Sequence, residues 1–277
     1  MIGFLLLSTF IIAALVWVIL LCNQKRRQGF EVPSKDCVVL FGDSILRNDN
    51  YVHQIDTVEY ALRAKLPSKH WTIQNFAEDG ALISDFLPQT ENLASIIETQ
   101  TFAKIKVVIS IGGNDILNLL LNHQGDGAQQ EDIFAKSNRL VSEKFSIDND
   151  NNKSEGGDED DGYMLQLELY LRNIFQSYEN VMETFMQETT HYVHSYIFVS
   201  LYYPTDPTLI IFSPMIRLWN TLQESFLKKE ALKDREKVKL LKLENLCNQD
   251  SDFVYFVEPS AECANKLGGE IASMCRK

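Results

Sequence analysis

Positive charge is scarce in this chain of 277 residues: 26 Lys and Arg side chains stand against 38 Asp and Glu, for a net charge of −12. A protein whose main task is to bind a phosphate backbone needs a basic surface, so this composition argues against nucleic acid as a partner. The five cysteines are scattered and include no CxxC pair. That spacing offers no zinc site, and no other metal or cofactor is expected. The preferred interpretation is free thiols in a reducing compartment.

The first 22 residues lack any charged side chain. A helix of this length spans roughly 30 Å, which is the thickness of a bilayer's hydrocarbon core. A cleaved signal peptide is the alternative, but no basic segment precedes the run and no A-x-A-like site ends it. We therefore predict a transmembrane anchor over residues 1–22 and a basic juxtamembrane linker over residues 23–36. Lys25, Arg26 and Arg27 predict a single-pass membrane protein with a cytosolic C-terminal domain.

Residues 38–45 read Val-Val-Leu-Phe-Gly-Asp-Ser-Ile. The four apolar residues predict a strand that is buried on both faces. The strand would end at Gly42 and leave Ser44 at its carboxyl end, which is where open α/β sheets bind ligands. A serine at this position either caps a following helix or acts as a nucleophile, and the tripeptide alone favours the cap.

Two further predicted strands end in similar turns. A strand over residues 70–76 leads to Gly80, and a strand over residues 105–111 leads to Gly112-Gly113-Asn114-Asp115. Because the carboxyl ends of parallel strands meet at one edge of a sheet, we expect the three turns to converge. Gly80 is there either because the turn requires a positive φ or because its backbone N–H donates to an oxyanion. The Asn114 side-chain amide would either donate a hydrogen bond to the oxyanion or cap the next helix.

These three blocks, in this order, resemble the SGNH (GDSL-type) hydrolase superfamily. Its letters stand for the serine of a GDS block, a glycine, the asparagine of a GxND block and a histidine near the C-terminus. The matching residues are Ser44, Gly80 and Asn114, and the resemblance covers residues 37–277 apart from an insert. It implies an α/β fold with a three-layer α/β/α, flavodoxin-like parallel sheet, and acyl-ester chemistry. Ser44 would attack the acyl carbonyl, and an oxyanion hole of Ser44, Gly80 and Asn114 would hold the oxyanion.

The second half of the chain is less regular. Residues at about 123–162 form an insert, and its stretch from Asp148 to Asp161 has no apolar residue, so we predict an acidic, disordered loop. The pattern then predicts a long helix over 163–190, a strand over 196–201 with an exit loop that lines the pocket, a second long helix over 214–245 and a last strand over 252–257.

The usual catalytic histidine is replaced. In place of the family's Asp-x-x-His-Pro block, Glu258 precedes Pro259, and no histidine follows His194. Three hypotheses stay open. Glu258 is the general base, with a pKa raised by burial from an ordinary value of about 4.3; the site binds without hydrolysing; or a histidine from another loop substitutes, His53 or His123.

The sequence therefore predicts a membrane-anchored serine ester hydrolase that acts on a small-molecule or lipid ester, with Ser44 and Glu258 as catalytic residues. The alternative is a catalytically impaired binding or scaffold protein of the same fold. The possible supporting residues are Asp43, Asp115, His53 and His123.

Overall fold

A parallel sheet of five strands organises the described part of the chain. The computed structural model describes residues 35–122, 158–206, 209–231, 237–255 and 257–277. The strands are β1 (Asp36–Gly42), β2 (Trp71–Asn75), β3 (Ile105–Ser110), β4 (Val193–Val199) and β5 (Val238–Leu241). Their spatial order is β2-β1-β3-β4-β5, and every neighbouring pair is parallel. The predicted α/β fold with a parallel sheet is confirmed.

Helices connect these strands. They are α1 (Val58–Lys65), α2 (Ile83–Thr99), α3 (Gly113–Asn122), α4 (Asp158–Thr189), α5 (Ser213–Ala231) and α6 (Ala261–Arg276). Helix α6 packs against α1, and α4 packs against α2, α3 and α5. Of the predicted insert, residues 158–162 begin α4, and residues 123–157 lie outside the described residues.

The two central strands are covered on both faces. Every residue of β3, and of β1 after Asp36, is buried, as their continuous apolar runs require. The register of β1 on β3 places Phe41 and Lys106 on opposite faces. The Lys106 ammonium donates to the Cys275 carbonyl of α6, whereas the Phe41 ring contacts Phe86 of α2 and Phe185 of α4. Helix α6 therefore covers one face, and α2 and α4 cover the other.

The fifth strand lies where a helix was predicted. The helix expected over 214–245 ends at Ala231 as α5, and β5 follows as an edge strand. The charged residues Lys237 and Lys239 made this segment resemble a solvated helix face. Their ammonium groups instead reach the carbonyl oxygens of Thr190, at 3.0 Å, and Met274, at 3.3 Å. With these ammonium groups hydrogen-bonded, Val238–Leu241 pairs with β4 as an edge strand.

The last strand, predicted over 252–257, is also wrong. Strand β6 (Phe253–Val254) pairs antiparallel with β7 (Glu258–Pro259), apart from the main sheet. Tyr255 has a φ of 47° in the reversal between them, a left-handed conformation that tight turns use. Glu258 is therefore carried by a small hairpin and not by the end of a parallel strand.

The expectation of free thiols is wrong for one pair of cysteines. Cys247 and Cys263 form a disulfide across a sequence separation of 16 residues. Cys263 lies in the first turn of α6, so the bridge joins the two ends of the segment that contains the hairpin. Cys37 and Cys275 are free and buried.

In the ranges that the structure describes, no helix is both long enough and apolar enough to cross a bilayer. The predicted anchor, and the linker up to residue 34, lie outside these ranges.

Candidate active site

Strand β1 ends in a turn that requires glycine. Gly42 has a φ of 129°, and a Cβ atom there would lie 1.6 Å from the Ser110 carbonyl oxygen. The side-chain amide of Gln89 accepts from the Gly42 N–H at 2.8 Å and donates to its carbonyl at 3.0 Å. The Asp43 N–H donates to the Ser110 carbonyl at 2.9 Å. These bonds fix the backbone that presents Ser44.

Ser44 lies at the carboxyl edge of the sheet and lines a cavity. The residue is 7% exposed, and Asn114 and Glu258 line the same cavity. No helix begins directly after Ser44, because the chain continues in turns until α1 begins at Val58. The capping interpretation is therefore wrong for Ser44, and its hydroxyl is available to the cavity.

The Glu258 carboxyl lies beside the Ser44 hydroxyl. Burial raises the pKa of Glu258, hydrogen bonding from Ser44 lowers it, and the charge of Asp79 raises it, so that the net pKa is higher than usual. Its Oε2 atom is buried and has no hydrogen-bond partner among the described residues. Raising the pKa of a carboxyl toward neutrality makes its ionised form a better proton acceptor. The Glu258 carboxyl is therefore positioned to accept the proton of the Ser44 hydroxyl.

Asp43 stabilises the same turn through its side chain. It is 2% exposed, and its Oδ1 accepts from the Ser110 hydroxyl at 3.1 Å and the Ile45 N–H at 3.2 Å. Burial raises the pKa of Asp43 to about 7, against the lowering effect of these bonds, and the charge of Glu258 adds to the rise. The charge of Glu258 therefore opposes the ionisation of Asp43.

Asn114 connects the third turn to the second. Its side-chain amide donates to the Ala81 carbonyl at 3.0 Å, which leaves a second amide N–H for another acceptor. The neighbouring Asp115 accepts from the Ile83 N–H at 3.0 Å, at the start of α2, and burial raises its pKa. Asp115 therefore caps the helix of the second block and not its own.

Gly80 lies in the adjoining turn, with a φ of 76° and open space around the position of a Cβ atom. The turn is joined to the first block because the Glu78 N–H donates to the Gly42 carbonyl at 2.9 Å. Within the described ranges, the N–H groups of Ser44 and Gly80 meet no hydrogen-bond acceptor. Gly80 itself is exposed and does not line the cavity, so its part in an oxyanion hole stays a prediction.

The structure does not bring a histidine to Ser44 within the described ranges. His53 is exposed, precedes a short 3-10 turn and does not line the cavity. His123 lies outside the described residues. The hypothesis of a substitute histidine therefore has no support from His53.

The sequence did not single out Tyr202 as a site residue. Burial raises its pKa well above the ordinary value, and the charges of Glu258 and Asp43 add to this effect. Its ring packs against Phe253 of the hairpin, with centroids 4.6 Å apart. The one available signal was its place in the exit loop of β4, next to a predicted strand end.

Residues 38–143 match the family model described as GDSL-like Lipase/Acylhydrolase. No curated protein sequence matches the chain. Among solved structures, the fold is similar to a lipolytic protein of the G-D-S-L family from Veillonella parvula, with a TM-score of 0.50 at 14% identity, covering 86% of this chain and 96% of that one.

Two other structures share the fold. A variant of an acetyl-xylooligosaccharide esterase from Geobacillus gives a TM-score of 0.50 at 14% identity, covering 88% of this chain and 96% of that one. A lipase from a goat rumen metagenome gives 0.53 at 13% identity, covering 87% and 97%. At these identities the structures establish the fold. The family match over residues 38–143, which contain Ser44, Gly80 and Asn114, agrees with the resemblance of these blocks to the SGNH (GDSL-type) hydrolase superfamily.

Proposed function

We propose that this protein is a serine ester hydrolase in which Ser44 is the nucleophile and Glu258 the general base. The observation that carries the proposal is the Glu258 carboxyl beside the Ser44 hydroxyl in one cavity. The match to a family of lipases and acylhydrolases supports the reaction class. Small-molecule and lipid esters are the proposed substrates.

In the acylation step, the Ser44 Oγ atom bonds to the acyl carbon while its proton passes to Glu258. The carbonyl oxygen becomes an oxyanion, held by the Ser44 N–H, the free N–H of the Asn114 amide and the Gly80 N–H. The C–O bond to the alcohol then breaks, and the alcohol leaves with the proton from Glu258. In the second half, Glu258 takes a proton from water, the hydroxide displaces Ser44, and the proton returns to the Ser44 Oγ.

Labelling with a fluorophosphonate tests the nucleophile. We expect an adduct on Ser44 in the full-length protein and none in Ser44→Ala, together with loss of p-nitrophenyl ester hydrolysis. Ser195→Ala is the matched control, because this buried hydroxyl of β4 does not line the cavity. An unlabelled Ser44, under conditions that label a known esterase, would overturn the proposal.

The second candidate is a binding or scaffold protein that has lost hydrolysis. The observation in its favour is the carboxyl at the position where the family has histidine, with one oxygen left unpartnered in the described residues. It predicts that Ser44→Ala leaves ligand binding intact and that the native protein hydrolyses no ester. Measurable turnover that depends on Ser44 excludes it.

We also propose that residues 1–22 anchor the protein in a membrane. Lys25, Arg26 and Arg27 favour a cytosolic domain, but the Cys247–Cys263 disulfide is more typical of an oxidising compartment. The sequence Asn152-Lys153-Ser154 is an N-glycosylation acceptor and permits a test. A cytosolic domain gains no endoglycosidase-sensitive mass in cells. A mass shift that is lost in Asn152→Gln would reverse the proposed orientation.

A further inference from the structure

The amino edge of the sheet, opposite the edge that carries Ser44, is rich in exposed cations. They lie beside the starts of β1, β2 and β3 and at the ends of α1 and α6, two helices that pack together: Lys35, Lys65, Lys69, Lys104 and Arg276. The Cys37 N–H of β1 donates to the Lys104 carbonyl at 2.8 Å, which holds the starts of β1 and β3 together. We call the five cations the amino-edge patch.

The strands themselves carry further cations near this edge. The second residues of β3, β4 and β5 are Lys106, His194 and Lys239, and Asp36 is the single acidic residue of the five strands. Burial lowers the pKa of the His194 imidazole, and the charges of three nearby lysines lower it further, against the charge of Asp36. The ammonium groups of Lys106 and Lys239 donate to the last carbonyls of α6 and so stabilise that helix end. The amino-edge patch is therefore additional to the cations that the fold itself uses.

The amino-edge patch differs from the rest of the described surface because its side chains have no carboxylate partners. On the other faces, every described Lys and Arg side chain except Arg217 forms an ion pair; examples are Arg63, Arg172, Lys228 and Lys242. Within the described ranges, no side chain of the patch forms an ion pair or a hydrogen bond. In a chain with a net charge of −12, a group of unpaired cations on one edge indicates an anionic partner.

An anionic membrane surface fits this patch better than a nucleic acid, which the net negative charge of the chain disfavours. Residues 23–34, between the proposed anchor and Lys35, extend over roughly 40 Å at most, so the anchor would keep the domain close to a bilayer. The cytosolic leaflet, which the proposed orientation places there, carries anionic lipids that attract Lys and Arg. The groove between α2 and α4 does not share the positive charge, since Glu91, Glu98 and Glu188 line it.

We infer that the amino-edge patch docks on the anionic surface of the membrane and that the active site therefore opens toward water. Strand β1 rises about 3.3 Å per residue over Asp36–Gly42, so Ser44 lies roughly 20 Å from the patch, at the opposite edge of the sheet. The ester bonds of phospholipids in the same bilayer lie below their headgroups, beyond the reach of Ser44. The inference rests on the proposed anchor and the proposed function, and it narrows the substrates to esters that reach the site from water.

The first test measures lysine acylation by N-hydroxysuccinimidyl acetate in the full-length protein, in nanodiscs of phosphatidylcholine alone or with about 30% phosphatidylserine. Mass spectrometry gives the rate for each lysine. On the anionic discs, Lys69 and Lys104 should react about fivefold more slowly, whereas Lys242, exposed at the other edge, should not change. Salt at about 0.5 M should remove the difference, because it screens the attraction. Equal rates for the patch lysines on the two kinds of disc would overturn the inference and would favour an acidic protein as the partner.

Neutral variants of the patch give a matched comparison. Lys69→Gln with Lys104→Gln removes two contacts, which should weaken docking roughly 30-fold and restore the acylation of Lys35 on the anionic discs. Arg172→Gln with Arg217→Gln removes the same charge from exposed positions on other faces and should leave Lys35 protected. Protection that persists in the patch variant, or that is lost in the control variant, would overturn the inference.

A fluorophosphonate linked to a lipid headgroup measures the height of Ser44 above the bilayer. In the anionic discs, a spacer shorter than about 10 Å should give no adduct on Ser44, and one longer than about 30 Å should label it, since the site lies roughly 20 Å from the patch. Equal labelling with both spacers would overturn the orientation.

The outcomes separate the inference from the proposals on which it rests. If a soluble fluorophosphonate also leaves Ser44 unlabelled, the proposed function fails, whereas the protection of the patch lysines still tests the docking. If the protein does not enter nanodiscs, the proposed anchor fails, and flotation of the full-length protein with vesicles of the same two compositions tests the patch. Binding to the anionic vesicles alone supports docking, and equal binding or none overturns it.

Discussion

The two sides of the site are positioned by different means. The nucleophile side consists of the turns after β1, β2 and β3, whose backbones are bonded to one another and to Gln89. The base side is a hairpin of two-residue strands, apart from the main sheet. The ends of the strands position Ser44, whereas the position of Glu258 depends on the contacts that stabilise its hairpin.

Side-chain contacts stabilise the hairpin. Asp252 is fully buried and accepts from the N–H groups of Asn248 and Gln249, at 2.9 and 3.0 Å, and from Lys266, at 2.6 Å. Ser260 caps α6 directly after the hairpin. The disulfide joins the segment's ends, so the base is held by local bonds that could each be removed without disturbing the sheet.

One buried residue connects the two sides. The Asn48 amide donates to the Pro259 carbonyl at 3.2 Å, and its oxygen accepts from the Val58 N–H at 3.0 Å. Asn48 follows Ser44 by four residues, so it relates the nucleophile loop to the hairpin next to Glu258. Perturbing either side alone should therefore show which one sets the alignment of Ser44 with Glu258.

The largest effect is expected from Gly42→Ala on the nucleophile side. The new Cβ would overlap the Ser110 carbonyl, so we expect a loss of more than about 4 kcal/mol in the free energy of unfolding, or no folding at all. Gly80→Ala is the matched variant, because it adds a Cβ in open space and costs only about 1 kcal/mol for its positive φ. Urea unfolding measures both. Equal costs would show that the first turn is not specially constrained.

Glu258→Gln should affect the rate and not the fold. Removing a general base typically costs 10²–10⁴ in rate, and we expect about a 10³-fold lower kcat with a midpoint of thermal unfolding no lower than that of the native protein. Glu262→Gln changes an exposed carboxylate in the next helix and should leave kcat within about twofold. If Glu258→Gln kept a third or more of the activity, another group would have to accept the Ser44 proton.

Removing the disulfide tests the bracing of the base. For a closed loop of about 16 residues, Cys247→Ser with Cys263→Ser should cost about 3 kcal/mol of stability. Because the loop contains Glu258, kcat should fall by more than the unfolded fraction explains, while Ser44 remains in place. Reduction of the wild-type protein with dithiothreitol should reproduce the loss, and reduction of the double variant should add nothing. An undiminished kcat after reduction would mean that Asp252 and Ser260 suffice.

This comparison also explains what the sequence could predict. The turns at Gly42 and Gly112 follow apolar runs and the turn at Gly80 follows an alternating segment, so their strands and their shared edge were predictable from local pattern. The edge strand β5 was not, because Lys239 and the preceding Lys237 donate to carbonyl oxygens that are distant in sequence. Nor was the Cys247–Cys263 bridge, since its two cysteines lie 16 residues apart and no local pattern pairs them. Glu258 was found by its place before Pro259, but its hairpin has no pattern of its own.

The smallest effect concerns the pH dependence of stability, through Asp43 on the nucleophile side and its interaction with Glu258 on the base side. The pKa of Asp43 is raised to about 7, mainly by burial, so the folded protein binds this proton more tightly than the unfolded chain does. The stability contributed by this group is therefore fully present below about pH 4, and it is lost as the pH rises through about 7. We expect this group to contribute about 1–3 kcal/mol to that fall, measured by urea unfolding at pH 5 and pH 8.

Asp43→Asn should flatten that dependence, whereas Asp49→Asn, in the exposed part of the same loop, should not. Glu258→Gln should reduce the slope in part, because the charge of Glu258 contributes to the raised pKa of Asp43. A slope that is unaffected by Glu258→Gln would mean that the carboxyl groups of the two sides ionise independently. In that case the loss of activity at low pH would depend on protonation of Glu258 alone. Asp43, on the nucleophile side, would not affect the pH at which Glu258 accepts a proton.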